Sequence, residues 1–283
     1  MTPTIPKVVY QTWKTHNLPQ KIVELRNYMK QMNPEYEFCL YDDTDIIDFI
    51  SNYSPDIDDN DNLLVAYNSL AIGAAKADLW RYLVLYKYGG IYLDMDAIII
   101  QPLDKLFLEV SNINSIPVPD IHGIITRENN QGIFNNWILI FEPHHPFMKL
   151  MIDYCYYHIS SRSTNDILAL TGPIALTSML NEFYLWTSLS TNQDKNLNAI
   201  YLDDIEHKLA YSNSGSDGIS NTLYDLTDIE FNKYFRFCGL CVYKKDMGEF
   251  AKCKHRYANL LYNITSPYWR NSLNTFTNTQ SQL

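Results

Sequence analysis

The stretch from Ala71 to Pro102, AIGAAKADLWRYLVLYKYGGIYLDMDAIIIQP, constrains the chain more than any other. Apolar residues recur at three and four through Ile72, Ala75, Leu79, Leu83 and Tyr86, which predicts an amphipathic helix running to Tyr88. Gly89 and Gly90 stop it, because glycine enters the left-handed conformation at little cost. Ile91-Tyr92-Leu93 then reads as a buried strand, and Asp94 and Asp96 follow it at once. Ala97 to Ile100 is a second apolar run, closed by Pro102. A buried strand gains nothing from ending in two carboxylates unless something cationic meets them.

The flanking segments place this stretch in an α/β chain. Val8 to Trp13 reads as a first strand, Gln20 to Met32 as a helix ended by Asn33-Pro34, and Tyr36 to Tyr41 as a second strand followed by Asp42-Asp43. Thr44 is the expected N-cap of a helix through Phe49, and residues 51–62 read as a polar loop. That loop is not an EF-hand: it lacks the central glycine, and position twelve counted from Asp56 is Tyr67 rather than glutamate. Further on, Leu103 to Val110 is amphipathic, Gly132 to Phe141 is a strand, and Phe147 to His158 a helix. Thr171-Gly172-Pro173 opens another helix through about Leu185, and 187–198 and 212–222 are loops. Ile200 to Leu202 and Tyr234 to Tyr243 are strands, Lys252 to Tyr262 is a basic helix, and 274–283 is a polar, disordered tail. Strands alternating with helices favour a mainly parallel, Rossmann-like sheet in one domain over residues 1–273.

Asp94-Met95-Asp96 is the strongest candidate for chemistry. If the chain turns after Tyr92, both carboxylates can face one cation, and hard oxygen ligands suit Mg²⁺ or Mn²⁺. Such a cation would stabilise charge on a leaving diphosphate. A D-x-D triplet is common in acidic chains; its place after GG-x-Y at the end of a buried strand is what singles it out. Asp78 and Arg81 are spaced i, i+3 on the preceding helix and share a face, which suits either a surface salt bridge or a binding pair.

These residues carry a resemblance. AKADLWRYLVLYKYGGIYLDMDAIIIQPL resembles the signature of the DXD sugar transferases, the family 32 glycosyltransferases, which include yeast-type α-mannosyltransferases and are related to the large clostridial glucosylating toxins. IPKVVYQTWKT, YEFCLYDD, NNWILIFEPHHPF and TGP resemble further motifs of that family in the same order, over roughly residues 5–175. The resemblance implies a GT-A fold, a nucleotide-diphosphate sugar donor, a divalent metal (usually manganese) and retention of anomeric configuration. It implies that Trp13 stacks on the base, that Asp78 and Arg81 hold sugar hydroxyls or phosphate, and that Tyr92 and Asp94 lie at the ribose and metal. Asp96 matches the direct metal ligand and Asn135 a family asparagine. The C-terminus departs from the pattern: His255 stands far ahead of Ser266-Pro267-Tyr268-Trp269, so His255 as a metal or diphosphate ligand and Trp269 as a donor contact are the expectations with the least support from spacing.

The remaining features bound the alternatives. A net charge of -10 argues against a sequence-blind nucleic-acid binder. The 22 tyrosines suit stacking on sugars, and equally reflect an AT-rich coding sequence. Five cysteines, an odd number in a chain of 283 residues, suggest reduced thiols in a cytosol-like compartment. Cys238, Cys241, Cys253 and His255 have zinc-ligand types, but the first two fall within one strand and would face opposite sides. No signal-type or 18-residue apolar run occurs, so the chain as given reads as cytoplasmic or cytosol-facing, and the sequons at Asn52 and Asn263 read as chance. No G-x-S-x-G, P-loop or G-x-G-x-x-G is present. The expectation is a metal-dependent retaining glycosyltransferase that moves a hexose from a UDP-sugar or GDP-mannose to a glycan or protein hydroxyl. The alternative is a nucleotide-sugar or metal-binding protein without turnover.

Overall fold

The computed structural model describes residues 5–53, 60–127, 133–189, 239–243 and 251–253. The chain opens with β1 (Val8–Thr12), α1 (Gln20–Met32), β2 (Glu37–Tyr41), α2 (Asp43–Ser51), α3 (Asn60–Ser69) and α4 (Gly73–Tyr88). It continues through β3 (Gly90–Leu93), β4 (Ala97–Ile99), α5 (Leu103–Asn114), β5 (Gly123–Arg127) and β6 (Phe134–Phe141). Then come α6 (Pro146–Ser161), α7 (Ile167–Leu170), α8 (Pro173–Leu189), β7 (Leu240–Tyr243) and β8 (Ala251–Cys253).

Six strands form one sheet in the order β2-β1-β3-β6-β5-β7, and β4 pairs with β8 apart from it. β1 is parallel to β2 and β3, and β5 is parallel to β7; β6 runs against both its neighbours. Five strands therefore share a direction, as expected of a mainly parallel α/β sheet, and the sixth reverses it. Alternate side chains feed two cores. Tyr10, Tyr92 and Leu139 point into a layer with α2, α3, α4, α6 and α8, while Val9, Ile91, Leu93, Ile138 and Ile140 point into a layer with α1 and α5. Helices thus cover both faces, the usual setting of a largely parallel sheet.

Two local devices shape the sheet and its edge. Gly89 and Gly90 both have positive φ, 64° and 101°, and a Cβ on Gly90 would lie 2.8 Å from the Val8 carbonyl oxygen. Only glycine lets α4 turn straight into β3 while β3 lies against β1. At the sheet edge, Arg26 reaches from α1 to donate to the Phe38 carbonyl at 3.3 Å, which blunts the open side of β2.

Four expectations change. α4 is not amphipathic: Leu79, Trp80, Arg81, Tyr82, Leu83, Val84 and Leu85 are all buried, because α6 covers the side that faces away from the sheet. Asp42, not Thr44, caps α2; its carboxylate accepts the Thr44 and Asp45 N–H groups, and Asp45 answers with a bond from the Asp42 N–H at 2.9 Å. The loop assigned to 51–62 gives way to α3 from Asn60, and α8 runs on to Leu189. Residues 251–253 are strand rather than helix, because β4 needs a backbone partner and β8 supplies it antiparallel, Ala97 opposite Cys253. The rest of the helix placed at Lys252 to Tyr262, the strand at Ile200 to Leu202, and the tail at 274–283 lie outside the described residues.

Candidate active site

The carboxyl ends of β1, β2 and β3 and the amino end of β6 meet along one edge of the sheet. Such an edge is where open α/β sheets place their ligands. Trp13 follows β1 there, half-buried, with its N–H on the Tyr41 carbonyl at 3.1 Å. Asp94 follows β3. Its N–H is held by the Trp137 carbonyl of β6 at 2.9 Å, and its carbonyl accepts from Ala97 N–H at 3.0 Å. Asp94-Met95-Asp96-Ala97 is therefore a tight turn. Met95 packs inward, while Asp94 and Asp96 are each half-buried.

Behind this turn lies a buried charge network. Arg81, 3 % exposed, donates through Nη2 to Asp78 Oδ1 at 2.9 Å and to Asp94 Oδ1 at 3.0 Å. Its Nη1 donates to the Asn136 carbonyl, and its Nε reaches the Ala77 carbonyl at 3.4 Å. Its guanidinium lies 4.3 Å over the Tyr92 ring, and the Tyr92 hydroxyl donates to Asp94 Oδ1 at 2.7 Å. Asp78 accepts from Asn136 Nδ2 at 2.9 Å and from Thr171 Oγ1 at 3.1 Å. The surface salt bridge considered for Asp78 and Arg81 is excluded by this burial.

The network sets its own electrostatics. Burial pushes Asp78 up to about 7, with Arg81 pulling the other way and Asp94 adding to the rise. Burial works against the charge on Arg81, but Asp94, Tyr92 and Asp78 hold its pKa above the ordinary value. Burial likewise keeps the Tyr92 phenol protonated and able to donate. One cation thus serves two carboxylates, and the neutral donors Asn136, Thr171 and Tyr92 complete the coordination that a lone ion pair would leave unfilled.

Of the residues expected in the site, the structure brings Asp78, Arg81, Tyr92 and Asp94 into one network, with Asp96 two residues on and Trp13 at the neighbouring strand end. Asn135 is buried but bonds Thr126 of β5 at 3.1 Å; Asn136 is the residue at the network. His255 and Trp269 lie outside the described residues. Thr171 was legible only as part of a T-G-P turn, and nothing in its spacing announced a bond to a residue 93 positions away.

Asp94 and Asp96 fit a divalent cation on chemical grounds. They offer hard oxygen atoms at a half-exposed turn, and both bonds onto Asp94 fall on Oδ1, which fixes the carboxylate in place. A second group, His16, Asp42 and Asp45, brings ligand atoms within 4.8 Å of one another. Those carboxylates are already engaged: they form the capping box of α2, and His16 Nε2 lies 2.7 Å from Asp45 Oδ2. Cys241 is a buried free thiol raised to about 12 by burial, and the side chains of Cys238, Cys253 and His255 lie outside the described part of the chain.

Residues 9–112, from β1 into α5, match the family model described as the glycosyltransferase sugar-binding region containing the DXD motif. The chain is 34% identical over 148 residues to inositol phosphoceramide mannosyltransferase 3 of Schizosaccharomyces pombe, covering 52% of this chain and 36% of that protein. It is 36% identical over 110 residues to the initiation-specific alpha-1,6-mannosyltransferase of Saccharomyces cerevisiae, covering 36% of this chain and 22% of that one. Matched regions thus span half or less of these relatives' own lengths. A solved structure titled PaToxG Glycosyltransferase superposes with a TM-score of 0.52 at 19% identity, over 82% of this chain and 84% of that chain, which shows a shared GT-A fold. Among the described residues no helix is long and apolar enough to cross a membrane. Residues 9–112, whose D-x-D turn closes on a buried arginine, are thus similar to the sugar-binding region of the glycosyltransferases that contain the DXD motif.

Proposed function

We propose that the chain is a metal-dependent, retaining glycosyltransferase that moves a hexose from a nucleotide-diphosphate sugar to a hydroxyl group. The observation that carries this is the D-x-D turn at the carboxyl edge of the sheet, braced from behind by Arg81 and Tyr92. The names of the relatives favour mannose as the hexose, hence GDP-mannose over a UDP-sugar. They also widen the acceptor from a glycan or protein to the headgroup of an inositol-containing lipid.

Asp94 and Asp96 would hold Mn²⁺ or Mg²⁺, which when bound supplies positive charge against the leaving diphosphate. Trp13 would stack on the base. Arg81 spends its donors inside the protein, so it acts on the donor through Asp94 and Asp78, holding both carboxylates in fixed positions before substrate arrives. The acceptor hydroxyl would attack the anomeric carbon from the face the diphosphate leaves. Its proton would pass to the departing phosphate oxygen, so that one C–O bond forms as another breaks and no protein base is required.

The test is hydrolysis of UDP- and GDP-sugars with Mn²⁺, followed by NMR of the product anomer. The expected result is release of free sugar that is lost in Asp96→Ala and with EDTA, and transfer with retention. An inverted anomer sinks the mechanism. Nucleotide binding with Mn²⁺ but no release from any donor assigns the chain to the binding-protein alternative.

A further inference from the structure

Away from the D-x-D turn, a second concavity of about 550 Å³ runs along α2 between that helix, β2 and the end of α4. The volume is in the range of small-molecule sites. Aromatic side chains and hydrogen-bonding groups line it together: Tyr41, Phe49 and Tyr88 among the first, Asp45, Asp48 and Asn52 among the second. Tyr88 is 43 % exposed and Asp48 is also exposed, so both present themselves to the groove from the protein surface.

Three observations choose the occupant. The two aspartates give the groove anionic walls, which disfavours phosphates. The lysine that lines it, Lys87, is already committed: Nζ lies 5.2 Å from the Phe49 and Tyr53 ring centres and 5.4 Å from that of Tyr88, and it donates to the Asn52 carbonyl at 3.3 Å. An internal cation therefore fills the aromatic cage that a basic peptide would seek. Strand addition along β2 is blunted because Arg26 occupies the Phe38 carbonyl. Asp45 is engaged by the Asp42 N–H and His16, so what remains is the exposed outer side of the Tyr88 ring beside the exposed Asp48 carboxylate, which is the chemistry of a neutral pyranose: C–H groups stacked on an aromatic ring, hydroxyls donating to a carboxylate.

We propose that this groove binds an oligosaccharide; Tyr41, which lines it, accepts the Trp13 N–H at the donor edge of the sheet. It deepens the transferase reading by naming a glycan as the acceptor class, held at a distance from the reacting hydroxyl. Binding there does not require metal or nucleotide.

The experiment is saturation-transfer NMR with mannotriose and, separately, maltotriose, on the full chain in EDTA without nucleotide. Saturable transfer to pyranose C–H protons is expected, lost in Tyr88→Ala and weakened at least three-fold in Asp48→Ala. Both positions are exposed, so the variants keep the fold, which their thermal transitions check, and Tyr88→Ala keeps Mn²⁺-dependent donor hydrolysis. Absence of transfer to either sugar, or transfer unchanged in both variants, overturns the proposal. So does binding of an oligolysine peptide or of nucleoside monophosphate, with no sugar signal, at the same residues. Failure of wild-type hydrolysis would defeat the transferase reading alone and leave the binding result standing.

Discussion

Removing Arg81 tests the charge network most directly. In Arg81→Leu, Asp78 and Asp94 lose their shared cation while the space stays filled. Asp94 is 29 % exposed at its side chain and can rehydrate, whereas Asp78 is 10 % exposed and cannot. Most of the cost therefore falls on Asp78. Breaking a buried pair in this way costs about 3–5 kcal/mol, or a fall in Tm of roughly 6–20 °C for a chain of this size. Asp78→Asn added to Arg81→Leu removes the stranded charge and keeps a side chain able to bond Asn136 and Thr171. The double variant should be more stable than Arg81→Leu by about 1–3 kcal/mol, the coupling expected of residues in one network. Urea unfolding of wild type, both single variants and the double variant gives the cycle. An Arg81→Leu variant within about 1 kcal/mol of wild type, or a double variant no more stable than that single one, would refute the reasoning.

Tyr92→Phe deletes the 2.7 Å bond to Asp94 without opening a cavity; Mn²⁺-dependent donor hydrolysis should fall about 10–100-fold with a small change in Tm, and unchanged hydrolysis would deny the bond a positioning role. Gly90→Ala meets the Val8 carbonyl at a φ of 101° and should cost at least about 2 kcal/mol in chemical unfolding, whereas a neutral result would mean that β1 and β3 can part freely. His158 is buried and its pKa is held below 6.5, so the unfolded chain takes the proton first and stability is lost as pH falls below that value. The slope of Tm against pH on that acid side should flatten in His158→Gln, and an unaltered slope would count against the burial argument.

The parts of the fold that sequence reveals are those decided locally. Gln20 to Met32 carries its periodicity and its stop in adjacent residues, and Gly89-Gly90 leaves few conformations open to the strand after it. The D-x-D turn was readable because strand, acids and second apolar run lie within ten residues. The features that escaped depend on distant partners. α4 looked one-sided because its Tyr, Trp and Arg positions read as surface until α6 covered them. Asn135 and Asn136 are indistinguishable in sequence. A bulge where β5 meets β6, between Ile124 and Thr126, decides which of them faces Asp78. β8 could not be inferred from Ala251-Lys252-Cys253, because three residues carry no period and only the needs of β4 make them a strand.

The contacts around Asp78 also differ in how far apart their partners lie along the chain. Arg81 and Asp94 are 13 residues apart in the chain, Asp78 and Asn136 are 58 apart, and Asp78 and Thr171 are 93 apart. Closing the longest of these loops costs roughly 1.7 kcal/mol more entropy than closing the shortest. The ionic pair and the Tyr92 bond can thus assemble within the α4–β3 unit, while Asn136 and Thr171 reach Asp78 only when β6 and α7 dock. Loop-closure entropy therefore favours a folding order in which Asp78 pairs with Arg81 before Asn136 and Thr171 reach it. Thr171→Val should then speed unfolding with little effect on the folding rate, and a slowed folding rate would place α7 in the nucleus instead.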